Sequence, residues 1–90
     1  MIPQRDNIIG LAAKYGIFNL RVFGSWARHE QRPDSDLDLL VKVESGRSYF
    51  DLIGFWQEVQ ALLNRKVDVV TDEGLSPFLR ERILKEAIPL

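Results

Sequence analysis

Two apolar segments of this chain carry aspartates in their middle. Asp36-Leu37-Asp38-Leu39-Leu40-Val41-Lys42-Val43 and Lys66-Val67-Asp68-Val69-Val70-Thr71 otherwise have the aliphatic, β-branched content of strands. At strand period, Leu37 and Leu39 point to one face while Asp36 and Asp38 point to the other. Asp68, between Val67 and Val69, likewise projects to one face against apolar neighbours. Such strands demand a sheet with one face packed on helices and another that carries carboxylates. Two like charges roughly 5–7 Å apart near a protein surface repel by roughly 2–3 kcal/mol at an effective dielectric of about 20. A purely structural strand has little reason to bear that cost.

The rest of the chain supplies the helices. Ile8, Leu11, Ala12 and Tyr15 recur on one helical face, which predicts a helix over 4–15 with Gly16 as a left-handed C-terminal cap. Residues 17–23 predict a strand, with Phe18, Leu20 and Val22 on one face and Ile17 and Phe23 on the other. Gly24-Ser25 ends it, and Ser25 is placed to cap a short helical turn over 26–30. A turn over 31–35 precedes a strand over 36–43. Ser48 with Asp51 reads as a capping box opening a helix over 49–63, whose stripe is Leu52, Phe55, Trp56, Val59, Leu62 and Leu63, with Asn64 as its C-cap. A third strand over 66–71 follows. Ser76-Pro77 has the chemistry of an N-cap and first turn for a last helix over 77–87. The order predicts an α/β (α+β) fold with a mixed sheet of about three strands, three to four helices, and one sheet side mainly covered.

Ninety residues predict a single domain, 1–90, with one core. Twelve Lys and Arg against thirteen Asp and Glu give a net charge of −1, which argues against direct nucleic-acid binding or a polybasic membrane surface. The absence of cysteine excludes disulfides, thiol catalysis and cysteine-held zinc, and a single histidine excludes a multi-histidine site. No apolar run approaches 18 residues and the first residues lack a signal-peptide hydrophobic stretch, so no membrane association and a cytoplasmic location are expected.

If the two aspartate-bearing strands are neighbours, Asp36, Asp38 and Asp68 converge. Three such carboxylates suit a hard divalent cation, and Mg²⁺ typically takes one or two carboxylates plus water and substrate phosphate. Gly24-Ser25 reads as a glycine-led turn from strand to helix that offers backbone N–H groups and a hydroxyl at a helix N-terminus, an anion cradle. Ten residues separate Ser25 from Asp36, enough for one helical turn and a return to the same sheet edge. A phosphate holder beside a cation holder is the equipment of nucleotide chemistry.

Phe23-Gly24-Ser25-Trp26-Ala27-Arg28, the ten-residue spacer, Ser35-Asp36-Leu37-Asp38-Leu39-Leu40-Val41 and Val67-Asp68-Val69 resemble the minimal nucleotidyltransferase family of the DNA-polymerase-β-like superfamily, and the likeness covers nearly the whole chain. The short form resembles the antitoxin half of toxin–antitoxin pairs whose partner is a HEPN-domain ribonuclease. The resemblance implies Mg²⁺-dependent transfer of AMP from ATP to a tyrosine hydroxyl of that toxin. It assigns Gly24 and Ser25 to the triphosphate and Asp36 and Asp38 to two Mg²⁺ ions. Asp68 would ligate the catalytic ion and assist deprotonation of the attacking hydroxyl. The family often has glycine where His29 stands, which bears on catalytic vigour rather than on fold.

Other residues admit plainer readings. Arg28 either neutralises a phosphate or pairs with Glu30 or Asp34. Trp26 stacks on a base or packs in the core. Lys42 and Arg47 read as solvated charges, Asp72 and Glu73 as turn and helix-start residues, and Arg80, Arg82 and Lys85 as a charged face or a docking surface for an acidic or nucleic-acid-bound partner. A Ser25–His29–Asp34 hydrolase lacks an arguable oxyanion hole. Ninety residues leave no second domain to grip an acceptor, so either a folded partner completes the site or the domain works as a homo-oligomer. Two other functions compete with transfer to a toxin. One is an antitoxin that neutralises by masking. The other is a nucleotidyltransferase acting on a small molecule.

Overall fold

The computed structural model describes residues 2–90. Helix α1 (Arg5–Lys14) leads into strand β1 (Ile17–Phe23), then β2 (Leu37–Val43), helix α2 (Tyr49–Leu63), β3 (Val67–Thr71), helix α3 (Pro77–Glu86) and a two-residue strand β4 (Ile88–Pro89). The sheet order is β3-β2-β1-β4. Strand β2 runs antiparallel to β1 and parallel to β3, and β4 lies antiparallel to β1. The sheet is mixed because α2 is the crossover that returns the chain to β3 in the direction of β2.

Local chemistry sets most element ends. Gly16, just past α1, has φ +69. Ser48 and Asp51 form the expected capping box, and Asn64 closes α2 at φ 50. Ser76 caps α3 by accepting from the Phe78 N–H at 3.3 Å, with Pro77 in the first turn.

Helices α1 and α2 cover one face of the sheet. Ile8 and Ala12 of α1 and Phe55 and Val59 of α2 meet Leu37, Leu39 and Val41 of β2 and Val67 of β3, all buried. Full burial of each large aliphatic or aromatic side chain contributes about 1.5–3 kcal/mol. Of the predicted α2 stripe, Trp56 stays partly exposed at the rim. Its indole Nε1 donates to the Val67 carbonyl at 2.5 Å, and Gln60 Oε1 accepts from the Val67 N–H at 3.0 Å. Together they cap the open edge of β3 at that residue.

Three expectations are corrected. The alternation in β1 breaks, because the register with β2 shifts between Phe18 and Arg21 and Asn19 takes φ 52. That irregularity sends both Ile17 and Val22 into the core and leaves Phe18 47% exposed. Residues 24–29 form successive turns rather than a helix, held by Arg28 N–H to Gly24 O (3.2 Å) and Glu30 N–H to Ser25 O (2.9 Å). The sheet has four strands. Arg21 pairs with Pro89 and Val22 with Ile88, and the Leu90 N–H donates to Leu20 O at 3.0 Å.

The other sheet face carries the carboxylates. Helix α3 lies on that side, contributes no fully buried residue, and leaves an open space beneath it.

Candidate functional site

The β2–β3 pairing decides where the aspartates go. Asp38 sits opposite Asp68 on β3 and opposite Phe23 on β1, so the three share a face. The parallel register sets the two carboxylates side by side on neighbouring strands. Asp38 is pushed up to about 6, first by burial, then by the charge and hydrogen bond of Asp68, and then by Asp36 and Glu86. The local charge is therefore in excess, and hard carboxylate oxygens are the donors that a divalent cation such as Mg²⁺ takes.

Asp36 is placed differently from its sequence reading. It precedes β2 rather than lying in it, and its carboxylate faces Lys66 Nζ at 3.5 Å. The convergence is thus a close pair, Asp38 and Asp68, with Asp36 near enough to repel Asp38 but paired elsewhere. Among the described residues, no group of three acidic or histidine side chains is assembled tightly enough to hold a metal ion.

Gly24 stands directly against this pair. Its backbone is left-handed, φ +73, and a Cβ built there would overlap the Asp38 carboxylate. Only glycine meets both demands. Gly24→Ala should therefore cost about 1–2 kcal/mol for the left-handed backbone alone. It should also displace Asp38, lowering transfer at least about tenfold. Urea denaturation and turnover measured side by side check both effects. Ser25 follows Gly24, half-buried. His29 also has positive φ, 58, a region uncommon for non-glycine residues but one in which His, like Asn and Asp, is enriched. The backbone there is one that glycine adopts freely.

Arg28 takes the pairing alternative, with a partner that local sequence does not suggest. Its guanidinium meets Glu86 at 2.9 Å and Glu30 at 3.4 Å. Glu86, the last residue of α3, also accepts from the Gly24 N–H at 2.7 Å. No periodicity or spacing points to it, because 62 residues separate it from Gly24. Trp26 packs partly buried against the core with the Arg65 guanidinium over its ring at 5.1 Å.

Lys42 is corrected as well, and Asp72, in a turn as expected, has partners that sequence did not suggest. Asp72 is buried, 5% exposed, and receives Arg21 in a two-point ion pair, with Lys42 Nζ at 3.6 Å. Arg80 donates to the Asp72 carbonyl at 2.6 Å. This cluster ties β1, β2 and the end of β3 to the start of α3. Arg47 pairs with Asp51 at 3.6 Å, and Lys85 with Glu81 at 3.1 Å on the exposed face of α3.

Beside the aspartate pair lies an open cleft of about 620 Å³. Phe23 and Asp38, Asp68 and Val70 form its floor, and Leu79 and Ile83 of α3 form one wall. Tyr49, Phe50 and Phe78, 73%, 81% and 94% exposed, stand at the starts of α2 and α3. An apolar cleft with a few polar groups converging at one end has the general form of a ligand site.

Residues 10–90 match the family described as nucleotidyltransferase domain. The chain belongs to that family. A protein of Methanocaldococcus jannaschii, MJ0435, provisionally named a protein adenylyltransferase, is 41% identical over 84 residues, 93% of this chain and 90% of that protein. The protein adenylyltransferase MntA of Thermococcus cleftensis is 33% identical over 78 residues, 87% and 79% of the two chains. A solved structure provisionally described as a minimal nucleotidyltransferase superposes with a TM-score of 0.86 at 48% identity, covering 97% of this chain and 89% of that one. A toxin–antitoxin structure with AMP-PNP shares the fold, with a TM-score of 0.80 at 20% identity and coverage of 96% and 71%. This nucleotidyltransferase is accordingly an enzyme that transfers nucleotide, built on the mixed four-stranded sheet described above. Among the described residues, no helix is long and apolar enough to cross a membrane.

Proposed function

We propose that this nucleotidyltransferase is an antitoxin that transfers AMP from ATP to a tyrosine hydroxyl of a partner HEPN-domain toxin in the cytoplasm, dependent on Mg²⁺. The observation that carries the reading is the close approach of Gly24 to the Asp38 carboxylate with Asp68 in register beside it. A phosphate donor turn and a carboxylate pair then meet at one end of a cleft open to a large acceptor. The relatives named protein adenylyltransferase and the toxin–antitoxin neighbour support the acceptor class.

In this reading Gly24, Ser25 and Arg28 hold the triphosphate, with the Gly24 N–H and the guanidinium as donors. Asp36, Asp38 and Asp68 would hold Mg²⁺, which when bound supplies charge neutralisation at the attacking and leaving oxygens. For Asp36 to take part it would have to exchange its pairing with Lys66 for the ion. Asp68 takes the proton of the acceptor hydroxyl. The hydroxyl oxygen forms a bond to the α-phosphorus, the bond from that phosphorus to the bridging oxygen breaks, and pyrophosphate leaves with the electron pair. Phe23, Leu79 and Ile83 give the cleft beside the reacting end apolar walls.

Intact-mass spectrometry of the toxin encoded beside this chain tests the reading. The toxin is mixed with this protein, Mg²⁺ and each of the four nucleoside triphosphates, with Asp36→Asn/Asp38→Asn as control. A gain of one or more AMP units with ATP and the wild-type protein alone is expected. No gain with any nucleotide overturns it. A second reading, neutralisation by masking, is favoured by the exposed Tyr49, Phe50 and Phe78. It predicts a stable complex, no mass gain, and full neutralisation by the double variant.

A further inference from the structure

The donors assigned to the triphosphate are already engaged by the chain's own carboxylate. Glu86 Oε2 accepts from the Gly24 N–H at 2.7 Å, and Oε1 accepts from Arg28 Nη1 at 2.9 Å. Two oxygens of one anion on a backbone N–H and a guanidinium form the grip that a phosphate would make. The Glu86 side chain is only 19% exposed. Burial opposes its ionisation, but the Gly24 N–H and Arg28 outweigh burial and hold its carboxyl below the usual range.

This placement works against the neighbouring carboxylates, since Glu86 is one of the charges that raise Asp38. The element that brings it there is lightly held. Helix α3 buries no residue fully, and β4 after it has two residues. Low burial marks the parts of a fold that open at small cost.

We propose that Glu86 is a built-in competitor for the triphosphate, so that nucleotide enters only when the end of α3 releases Gly24 and Arg28. The proposal rests on the assignment of those two residues to the triphosphate. A latch closed ten times as often as open weakens apparent affinity about tenfold. A partner that draws α3 away would strengthen nucleotide binding by up to that factor, and nucleotide would strengthen partner binding equally, because the coupling is reciprocal.

The test is calorimetric titration of inorganic tripolyphosphate at fixed Mg²⁺ into the wild-type chain, Glu86→Gln and Glu86→Asp, with melting temperatures to verify folding. Glu86→Gln removes the charge at nearly constant shape. Glu86→Asp keeps the charge but is one methylene too short to span both donors. Both variants should bind tripolyphosphate about tenfold more tightly than wild type. An Asp variant that matches wild type would reduce the effect to charge and overturn the latch. Weaker binding by either variant would make Glu86 a support of the cradle and overturn it equally, as would no binding by any of the three. Nucleotide transfer to the toxin is measured on the same proteins. Tightened tripolyphosphate binding without transfer by any protein would sink the proposed activity and leave the latch standing.

Discussion

Asp38→Asn should lower nucleotide transfer by about 10²–10³-fold and, in the same protein without added metal, raise the melting temperature. Loss of one preorganised charged group at a reacting centre typically costs about 10²–10³-fold in rate. The stability gain has the opposite sign because Asp38 is repelled where it stands, with its carboxyl pushed up to about 6 by burial, Asp68, Asp36 and Glu86. A carboxyl whose folded value lies above its unfolded value costs nothing below about pH 4. Its penalty grows as pH rises from about 4 to about 6 and is complete above that. Each tenfold change in proton affinity is about 1.4 kcal/mol. With the carboxylate partly open to water, the penalty is discounted to about 1–2 kcal/mol. For a domain of this size, that is a rise of several degrees and up to about 15 °C. Melting curves of the two proteins should merge near pH 4 and separate at pH 8. Curves that stay parallel would remove the repulsion argument. Added Mg²⁺ should stabilise wild type by mass action and the variant less. Equal responses would take Asp38 out of any cation site.

A larger loss is expected at Asp72. Its carboxylate is held below the usual range first by the hydrogen bonds from Arg21, which outweigh its burial, and then by the charges of Arg21 and Lys42. Asp72→Asn would leave Arg21, 13% exposed, as a buried and unneutralised cation. Breaking one side of such a pair costs about 3–5 kcal/mol. A chain of 90 residues has roughly 5–13 kcal/mol in total at typical stability per residue. The urea midpoint should fall by at least about 1 M. A drop equivalent to under about 1 kcal/mol would show the pair to be solvent-screened. Replacing both partners by apolar residues, Arg21→Met with Asp72→Leu, should recover most of the loss, because no charge is then stranded. The linkage sign is opposite to that of Asp38. A depressed carboxyl stabilises above about pH 4, and that contribution disappears as pH falls through its folded value. From these two groups the metal-free protein should therefore be most stable near about pH 4, weakened below it by Asp72 protonation and progressively above it, up to about pH 6, by the Asp38 penalty.

The sequence by itself determined the elements whose signals are local. Helix α2 begins and ends where Ser48, Asp51 and Asn64 put it, because capping chemistry acts within one turn. The division of β2 into a core face of Leu37, Leu39 and Val41 and an opposite face with Asp38 follows from strand period alone. The spacing from Gly24-Ser25 to Asp36 and Asp38 likewise marked the candidate site before any contact was known. Tertiary structure decided whatever depends on residues far apart in the chain. The Asn19 irregularity reverses the face of Ile17, because burial of two apolar residues outweighs strict alternation. Strand β4 has only two residues and a proline, too little for a pattern, and exists because β1 offers it a free edge. Asp72 meets Arg21 from 51 residues away, and Glu86 meets Gly24 from 62. Such pairs form because buried charges and donors must find partners. Which partner each one finds is set only when the sheet, with its mixed register, brings them together.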